Sequence, residues 1–141
     1  MTHTATYLAF DYGARRIGVA VGDNLTRRAR ALTAIASGDW AAVDRVLAEW
    51  RPAALVLGLP LDEDGSEQAI TTATRRFSRA LTERYHLPVH ECDERYSSRA
   101  ADEALRSARA SGQMSRRVRK GDRDGEAARV ILEQWLSEQP A

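Results

Sequence analysis

Four carboxylates stand where the surrounding residues give them little reason to be. Asp11 follows the mostly apolar run Tyr7-Leu8-Ala9-Phe10, at the point where a strand leaves its sheet. Asp93 and Glu94 close a second short strand in the same way. Asp124 shares the four, three, four spacing of Asp124, Ala128, Ile131 and Trp135, a stripe on which a C-terminal helix packs. Taken singly, Asp11 reads as a turn aspartate, and Asp124 as a favourable charge at a helix N-terminus, worth about 0.3–1 kcal/mol. Brought to one sheet edge, Asp11, Glu94 with its neighbour Asp93, and Asp124 repel, raise one another's pKa and cost stability unless cations intervene. Divalent metal ions relieve both costs, and oxygen-only ligands favour Mg²⁺ or Mn²⁺ over zinc. Zinc is further disfavoured by a single cysteine and three scattered histidines, His3, His86 and His90. No Gly-x-Ser-x-Gly elbow supports a nucleophilic triad, and Cys92 reads as a core thiol. A two-ion carboxylate site suits phosphodiester cleavage, with one ion activating the attacking water and the other steadying the leaving oxygen.

The elements that must position these acids follow from periodicity. Tyr7 to Asp11 and Ile17 to Val21 alternate as strands joined by the short hairpin Tyr12-Gly13-Ala14-Arg15-Arg16, and Ala31 to Ile35 reads as a third strand. Trp40, Val43, Val46, Leu47 and Trp50 recur at helical spacing, capped by Ser37 or Asp39 and closed by Pro52. Ala54 to Leu59 is a continuous apolar run, as expected of a central parallel strand buried on both faces. Asp64 and Glu67 resemble a capping box opening a helix with a buried stripe of Ile70, Ala73, Phe77, Ala80, Leu81 and Tyr85. Val89 to Asp93 is then a short strand, followed by a helix from Ser97 to about Ala110, a basic loop, and a last helix from about Asp122 to Ser137. The expected fold is α/β: a mixed five-stranded sheet with three antiparallel and two parallel strands, flanked by helices. In such sheets, sites collect beyond the strand C-termini.

Composition bounds the function. The chain has 141 residues, 43% hydrophobic and 29% charged, which predicts a single domain over residues 1–141. The longest apolar stretch, Ala53 to Leu61, contains Gly58 and Pro60 and falls far short of the roughly 20 residues of a membrane span. Met1 to Thr6 lacks a secretory pattern, and the lone cysteine suits a reducing compartment, so the expected location is cytoplasmic. Net charge is only +1, but Arg106, Arg109, Arg116, Arg117, Arg119 and Lys120 form a local run of +6 with no acid among them. Around Ser111-Gly112-Gln113-Met114-Ser115 this reads as a loop that lies along nucleic-acid phosphates. Lys120 is the only lysine against 20 arginines, so a solvated loop reflecting biased arginine usage is the competing account, and phosphate binding is the favoured one.

Four motifs in order carry a family resemblance. Phe10-Asp11-Tyr12-Gly13-Ala14-Arg15-Arg16-Ile17-Gly18-Val19-Ala20, then Gly58-Leu59-Pro60-Leu61 with Asp64-Gly65-Ser66-Glu67, then Asp93-Glu94-Arg95, then Asp124 with Ala127-Ala128 and Ile131-Leu132, resemble the YqgF (RuvX) family. That family is similar to RuvC resolvases. The resemblance implies an RNase H-like fold and a nuclease, endo- or exonucleolytic, maturing the 5′ end of the pre-16S ribosomal RNA, with Holliday-junction resolution as an older suggested role. It implies that Asp11, Glu94 and Asp124 are catalytic metal ligands for Mg²⁺ or Mn²⁺, with Asp93 the rival of Glu94 because adjacent strand residues face opposite ways. Arg16 and Arg95 match basic motif positions and, with Arg116, Arg117, Arg119 and Lys120, are expected to meet nucleic acid. Gly13 and Gly18 fit positions of tight turning or close packing. The chain departs from the family pattern at Asp62-Glu63, at Asp122, and at Ala127, where RuvC-like enzymes often carry a fourth acid. Three ligands predict one weakly held ion in the free protein, with scissile phosphate oxygens completing a second site.

Two other classes compete. Asp-x-Gly followed by Gly-Val-Ala also resembles the first phosphate loop of actin-like and sugar kinases, but a single domain lacks the second half of that ATP cleft. A non-catalytic RNA-binding assembly factor would keep the same acids and bind RNA in a salt-sensitive way. The partner is nucleic acid, RNA or DNA, with no membrane. Paired cuts at a four-way junction require a homodimer, for which Met114 and Val118 offer apolar surface, whereas trimming RNA needs one site.

Overall fold

Ala54–Leu59 is buried at all six positions, because strands flank it on both sides and helices cover both faces. The computed structural model describes residues 4–60, 69–93 and 120–140, with side chains from position 125 onward in the last segment. The strands are β1 (Thr6–Asp11), β2 (Arg16–Asp23), β3 (Ala29–Ala31), β4 (Ile35–Ala36), β5 (Ala54–Leu59) and β6 (Val89–Asp93). The helices are α1 (Trp40–Trp50), α2 (Ala69–Tyr85) and α3 (Lys120–Ser137). The sheet order is β3-β2-β1-β5-β6, with β4 also paired to β2. β1–β2, β2–β3 and β2–β4 are antiparallel, and β1–β5 and β5–β6 are parallel, the expected mixed sheet.

The expected third strand arrives in two pieces, so six strands are described where five were expected. Ala20 pairs with Ala31 but Ile17 pairs with Ile35, so three residues oppose two between these pairs. That is a one-residue bulge, and it reverses which face the later residues point to. Ile35 consequently joins Ile17 in the core, where an unbroken ladder would have placed Ala34.

Strand alternation sorts the core into two layers. Leu8, Phe10, Ile17, Val19, Val21, Leu55 and Leu57 face α1 and α2, with Val43, Leu47, Phe77 and Leu81. Ala9, Ala20 and Val56 face α3, with Ala128, Ile131, Leu132, Trp135 and Leu136. Each large apolar side chain so buried contributes about 1.5–3 kcal/mol. α1 begins where Asp39 Oδ1 accepts from Ala42 N at 3.1 Å, and ends at Arg51 in the left-handed region before Pro52. Asp64, Glu67 and the Ser97 to Ala110 helix lie outside the described residues.

α2 turns a more polar face inward than its apolar spacing suggests. Ile70, Ala73, Ala80 and Tyr85 are only half-buried, whereas Thr71, Thr74 and Ser78 are buried beside Phe77 and Leu81. The two threonine hydroxyls are satisfied: Thr71 Oγ1 donates to Pro60 O, and Thr74 Oγ1 donates to Ile70 O at 2.7 Å. A back-bonded hydroxyl buries without an orphaned donor, so β5's exit and α2 approach closely.

α3 starts at Lys120, two residues before the expected position, and so takes Lys120 out of the basic loop. Polarity marks a helix start poorly, since the start is set by where backbone bonding begins. The helix seats closely on β2: a Cβ at Gly22 would meet Arg28 O at 2.7 Å and the side chains of Leu132 and Leu136 at 3.1 Å. Arg27, with φ 59°, donates to Leu136 O at 3.1 Å in the last turn of the helix, and to Gln139 O at 2.9 Å and Pro140 O at 3.0 Å just beyond it. Glu133 Oε2 accepts from Ala29 N at 3.1 Å and from Arg129 Nη1 at 3.0 Å, tying the same helix to the β3 edge. No helix among the described residues is long and apolar enough to cross a membrane.

On the other face, Arg84 Nε and Nη2 donate to Asp44 Oδ1 and Oδ2 at 2.9 and 2.7 Å, and Tyr85 OH donates to Oδ1 at 2.6 Å. The Arg84 bonds, then that of Tyr85, hold the Asp44 carboxyl down at about 2. Burial, then the Asp44 hydrogen bond, raises Tyr85 to about 12. A depressed carboxyl stabilises the fold above its unfolded pKa of about 4, and that contribution is lost as pH falls toward about 2. Asp44→Asn is therefore expected to flatten the fall in Tm between pH 5 and pH 2 relative to wild type, read by circular dichroism melts. Gly22→Ala is expected to destabilise by about 1–3 kcal/mol, since a backbone carbonyl must move, and urea unfolding checks it.

Candidate active site at the sheet edge

Asp11 and Asp93 end β1 and β6, parallel to β5 between them, so both sit on the C-terminal edge of the parallel strands. Two strand spacings, about 10 Å, separate their backbones. They do not share a face. Asp11 has the parity of Tyr7 and Ala9, which pack toward α3, and is half-buried. Asp93 has the parity of Val89 and Glu91, the side on which Glu91 lies 4.0 Å from Arg75 of α2. His90 and Cys92 take the α3 side, His90 stacking on Trp135 at 5.0 Å.

The hairpin that orients Asp11 is tight. A Cβ at Gly13 would lie 2.6 Å from Arg16 O, so only glycine lets the chain turn there. Gly18 pairs directly across from Asp11 on the α3 face and places no side chain beside the carboxylate. The β3/β4 bulge lies opposite Gly18 and Val19, a position at which bulges commonly adjust a site. Arg16, half-buried, has the parity of Gly18, Ala20 and Gly22 and therefore follows Asp11 onto that face.

α3 runs with its C-terminal end over the start of β1, where Trp135 meets Tyr7 edge-on at 5.0 Å. Its N-terminal end therefore points to the Asp11 edge, where a Cβ at Gly125 would come 3.2 Å from Ala31 Cβ. Position 124 precedes Gly125 and stands one turn before the buried Ala128. Lys120 is the first residue of that helix. Glu94, Arg95, Arg116, Arg117 and Arg119, with Met114 and Val118, lie outside the described residues. Among the described residues no three His, Cys, Asp or Glu side chains group to hold a metal, and Asp11 is the one expected ligand described with its side chain. Asp11 offers carboxylate oxygen, the donor type a hard cation takes, across from Gly18.

Cys92 is half-buried, and burial, then the charge of Glu138, pushes its thiol up to about 11, so it stays protonated and non-nucleophilic at neutral pH. Two features escaped the periodicity of the sequence. Arg27's bond to the last turn of α3 spans more than a hundred residues, and the ring cluster of Tyr12, Trp40 and Phe77 joins three separate elements. The only signal of either was an aromatic residue next to a motif aspartate.

A family profile described as "RuvX: Holliday junction resolvase" matches residues 5–138. Proteins named "Putative pre-16S rRNA nuclease" from Burkholderia vietnamiensis and Burkholderia lata are 49% and 50% identical over 138 residues, covering 95% of this chain and 90% of theirs. Among solved structures, Thermus thermophilus RuvC in complex with Holliday junction substrate aligns with a TM-score of 0.56 at 16% identity, over 90% of this chain and 92% of that one. The fowlpox virus resolvase bound to Holliday junction DNA aligns with a TM-score of 0.58 at 12% identity, over 94% and 97%. At such low identity these neighbours speak for the fold, and that fold is RNase H-like. With the motifs of Asp11, Gly58, Asp93 and Asp124 in order along one continuous match, the chain belongs to the RuvX family.

Proposed function

We propose that this chain is a single-domain cytoplasmic nuclease, dependent on Mg²⁺ or Mn²⁺, that hydrolyses phosphodiester bonds of RNA at the 5′ end of the pre-16S rRNA. The observation that carries the reading is the placement of Asp11. It ends β1 on the α3 face, opposite Gly18, at the edge toward which the N-terminal end of α3 points. The names of the curated relatives favour rRNA processing, and family membership favours a nuclease.

Asp11, Glu94 and Asp124 would hold the metal. Asp93 belongs to the opposite face with Glu91, which favours Glu94, the next residue in the chain, as the ligand. When bound, a divalent ion supplies Lewis acidity and lowers the pKa of attacking water. Asp11 contributes a carboxylate at the end of β1, beside the tight turn at Gly13, and would hold the ion from there. Arg16, on the same face, is a phosphate ligand at the mouth of the site, and Lys120 and Asp124 follow each other by one helical turn on α3. Arg95, Arg116, Arg117 and Arg119 would add further basic contacts to the nucleic-acid backbone. Such contacts are salt-sensitive and indifferent to sequence.

The test is cleavage of an end-labelled pre-16S 5′ leader RNA, a single-stranded DNA and a four-way junction, by wild type and Asp11→Asn, in Mg²⁺, Mn²⁺ and EDTA. The expected result is metal-dependent cutting of the RNA, abolished by EDTA and reduced about 100-fold or more in Asp11→Asn, with an unchanged melt. Even outer partners of metal ligands are worth 10- to 100-fold. Preferential cutting of the junction would move the substrate to DNA. Salt-sensitive binding with every substrate left intact would replace the nuclease with an assembly factor. Undiminished cleavage by Asp11→Asn would dismiss the carboxylate site.

A further inference from the structure

On the opposite face of the same edge lies a groove of about 350 Å³ between α1, α2 and the β1–β2 hairpin. Its walls are Tyr12, Trp40 and Phe77, its floor is the buried Ile17 and Val43, and the exposed Arg76 stands at its rim. The rings form a shallow ladder. Phe77 lies 5.0 Å from Tyr12 at 35° and 5.5 Å from Trp40 at 36°. Trp40 is fixed from behind by the Arg84 guanidinium, 5.3 Å from its ring, which Asp44 holds in turn. Tyr12 and Trp40 are only half-buried, so each still presents ring surface to the opening. Ser37 and Asp39 also line the groove, and Asp39 Oδ1 is engaged in capping α1.

Preformed aromatic walls, an apolar floor and one cation at the rim describe a site for a flat, uncharged π-system attached to an anion. Its position relative to Asp11 supplies the occupant. Tyr12 follows Asp11 directly, yet packs against the α1/α2 layer whereas Asp11 has the parity of the α3 layer. Consecutive Cα atoms are about 3.8 Å apart, so groove and carboxylate open on either side of one sheet edge. A nucleic-acid strand crossing that edge would bring one phosphate to Asp11 and a neighbouring base to the rings. We infer that the Tyr12–Trp40–Phe77 groove takes an unpaired nucleobase flanking the scissile phosphate, an inference that rests on the nuclease reading above. It makes Tyr12, Trp40 and Phe77 positioning residues that favour single-stranded or frayed substrate, with Arg76 pairing to the adjoining phosphate.

The experiment reads binding alone, without cleavage. Asp11→Asn protein is titrated with a set of short single-stranded RNAs carrying 2-aminopurine at each position in turn, and with the same RNAs made abasic there. The expected result is quenching confined to one or two positions, where the abasic change weakens binding about tenfold. Trp40→Ala in that background should abolish the quenching, bind the intact RNA about tenfold more weakly, and be indifferent to the abasic change. Ala73→Trp fills the groove without truncating a packed ring, and is expected to act the same way with an unaltered melt. Quenching at no position, or an abasic penalty equal in all three proteins, overturns the groove. Because the readout is affinity, the groove stands or falls separately from the cleavage test of Asp11.

Discussion

The close seating of α3 on the sheet is the constraint on which the rest of this structure depends. A helix approaches strands this closely only where side chains are small, and Ala9, Ala20, Gly22 and Ala128 supply that surface. Larger side chains then interlock around it, Leu132 and Leu136 against Gly22, Trp135 against Tyr7 and His90. Polar contacts at the periphery remove the remaining freedom: Arg27 donates to carbonyls in and just beyond the last turn, and Glu133 takes the Ala29 N–H. With its far end so held, the helix has one direction available, and its N-terminal turn is delivered to the edge where β1 ends.

A second consequence follows from strand alternation. A sheet covered on both faces must send successive side chains to different layers, so β1 ends with Asp11 on the α3 side, and Tyr12, just beyond the strand, packs on the other. A charge and an aromatic ring, adjacent in the chain, thereby serve opposite sides of one edge. The same rule separates Asp93 from Asp11, although both end parallel strands. Which acid can join a common site is decided by parity as much as by proximity.

The tie between α1 and α2 works on the other layer. Arg84, Asp44 and Tyr85 are largely surface groups, and exposed ion pairs contribute little on their own. Their geometric effect is larger, because Arg84 also lies over Trp40 and so fixes the ring that walls the groove. α2 can afford buried threonines because the Thr71 hydroxyl finds the Pro60 carbonyl and the Thr74 hydroxyl finds the Ile70 carbonyl one turn back.

Much of this was legible in the residues. Alternation marked β1 and β2 to within two residues, an unbroken apolar run marked β5, Pro52 and a cap at Ser37 or Asp39 bounded α1, and the spacing of Ala128, Ile131 and Trp135 identified the face of α3 that is buried. These are local signals: a period, a cap, a breaker. The bulge between Ala31 and Ile35 has no local signature, since it arises from matching two strands so that Ile35 rather than Ala34 enters the core. The rotation of α2 onto Thr71, Thr74 and Ser78 was hidden because burial of a hydroxyl depends on a partner the linear pattern does not name. Residue types and order alone raised the expectation of a hard-cation carboxylate chemistry and determined the mixed sheet that would carry it. Tertiary structure alone decided that Asp11 faces α3, that Asp93 does not, and that Tyr12, Trp40 and Phe77 meet, because facing and meeting are properties of how separate elements pack.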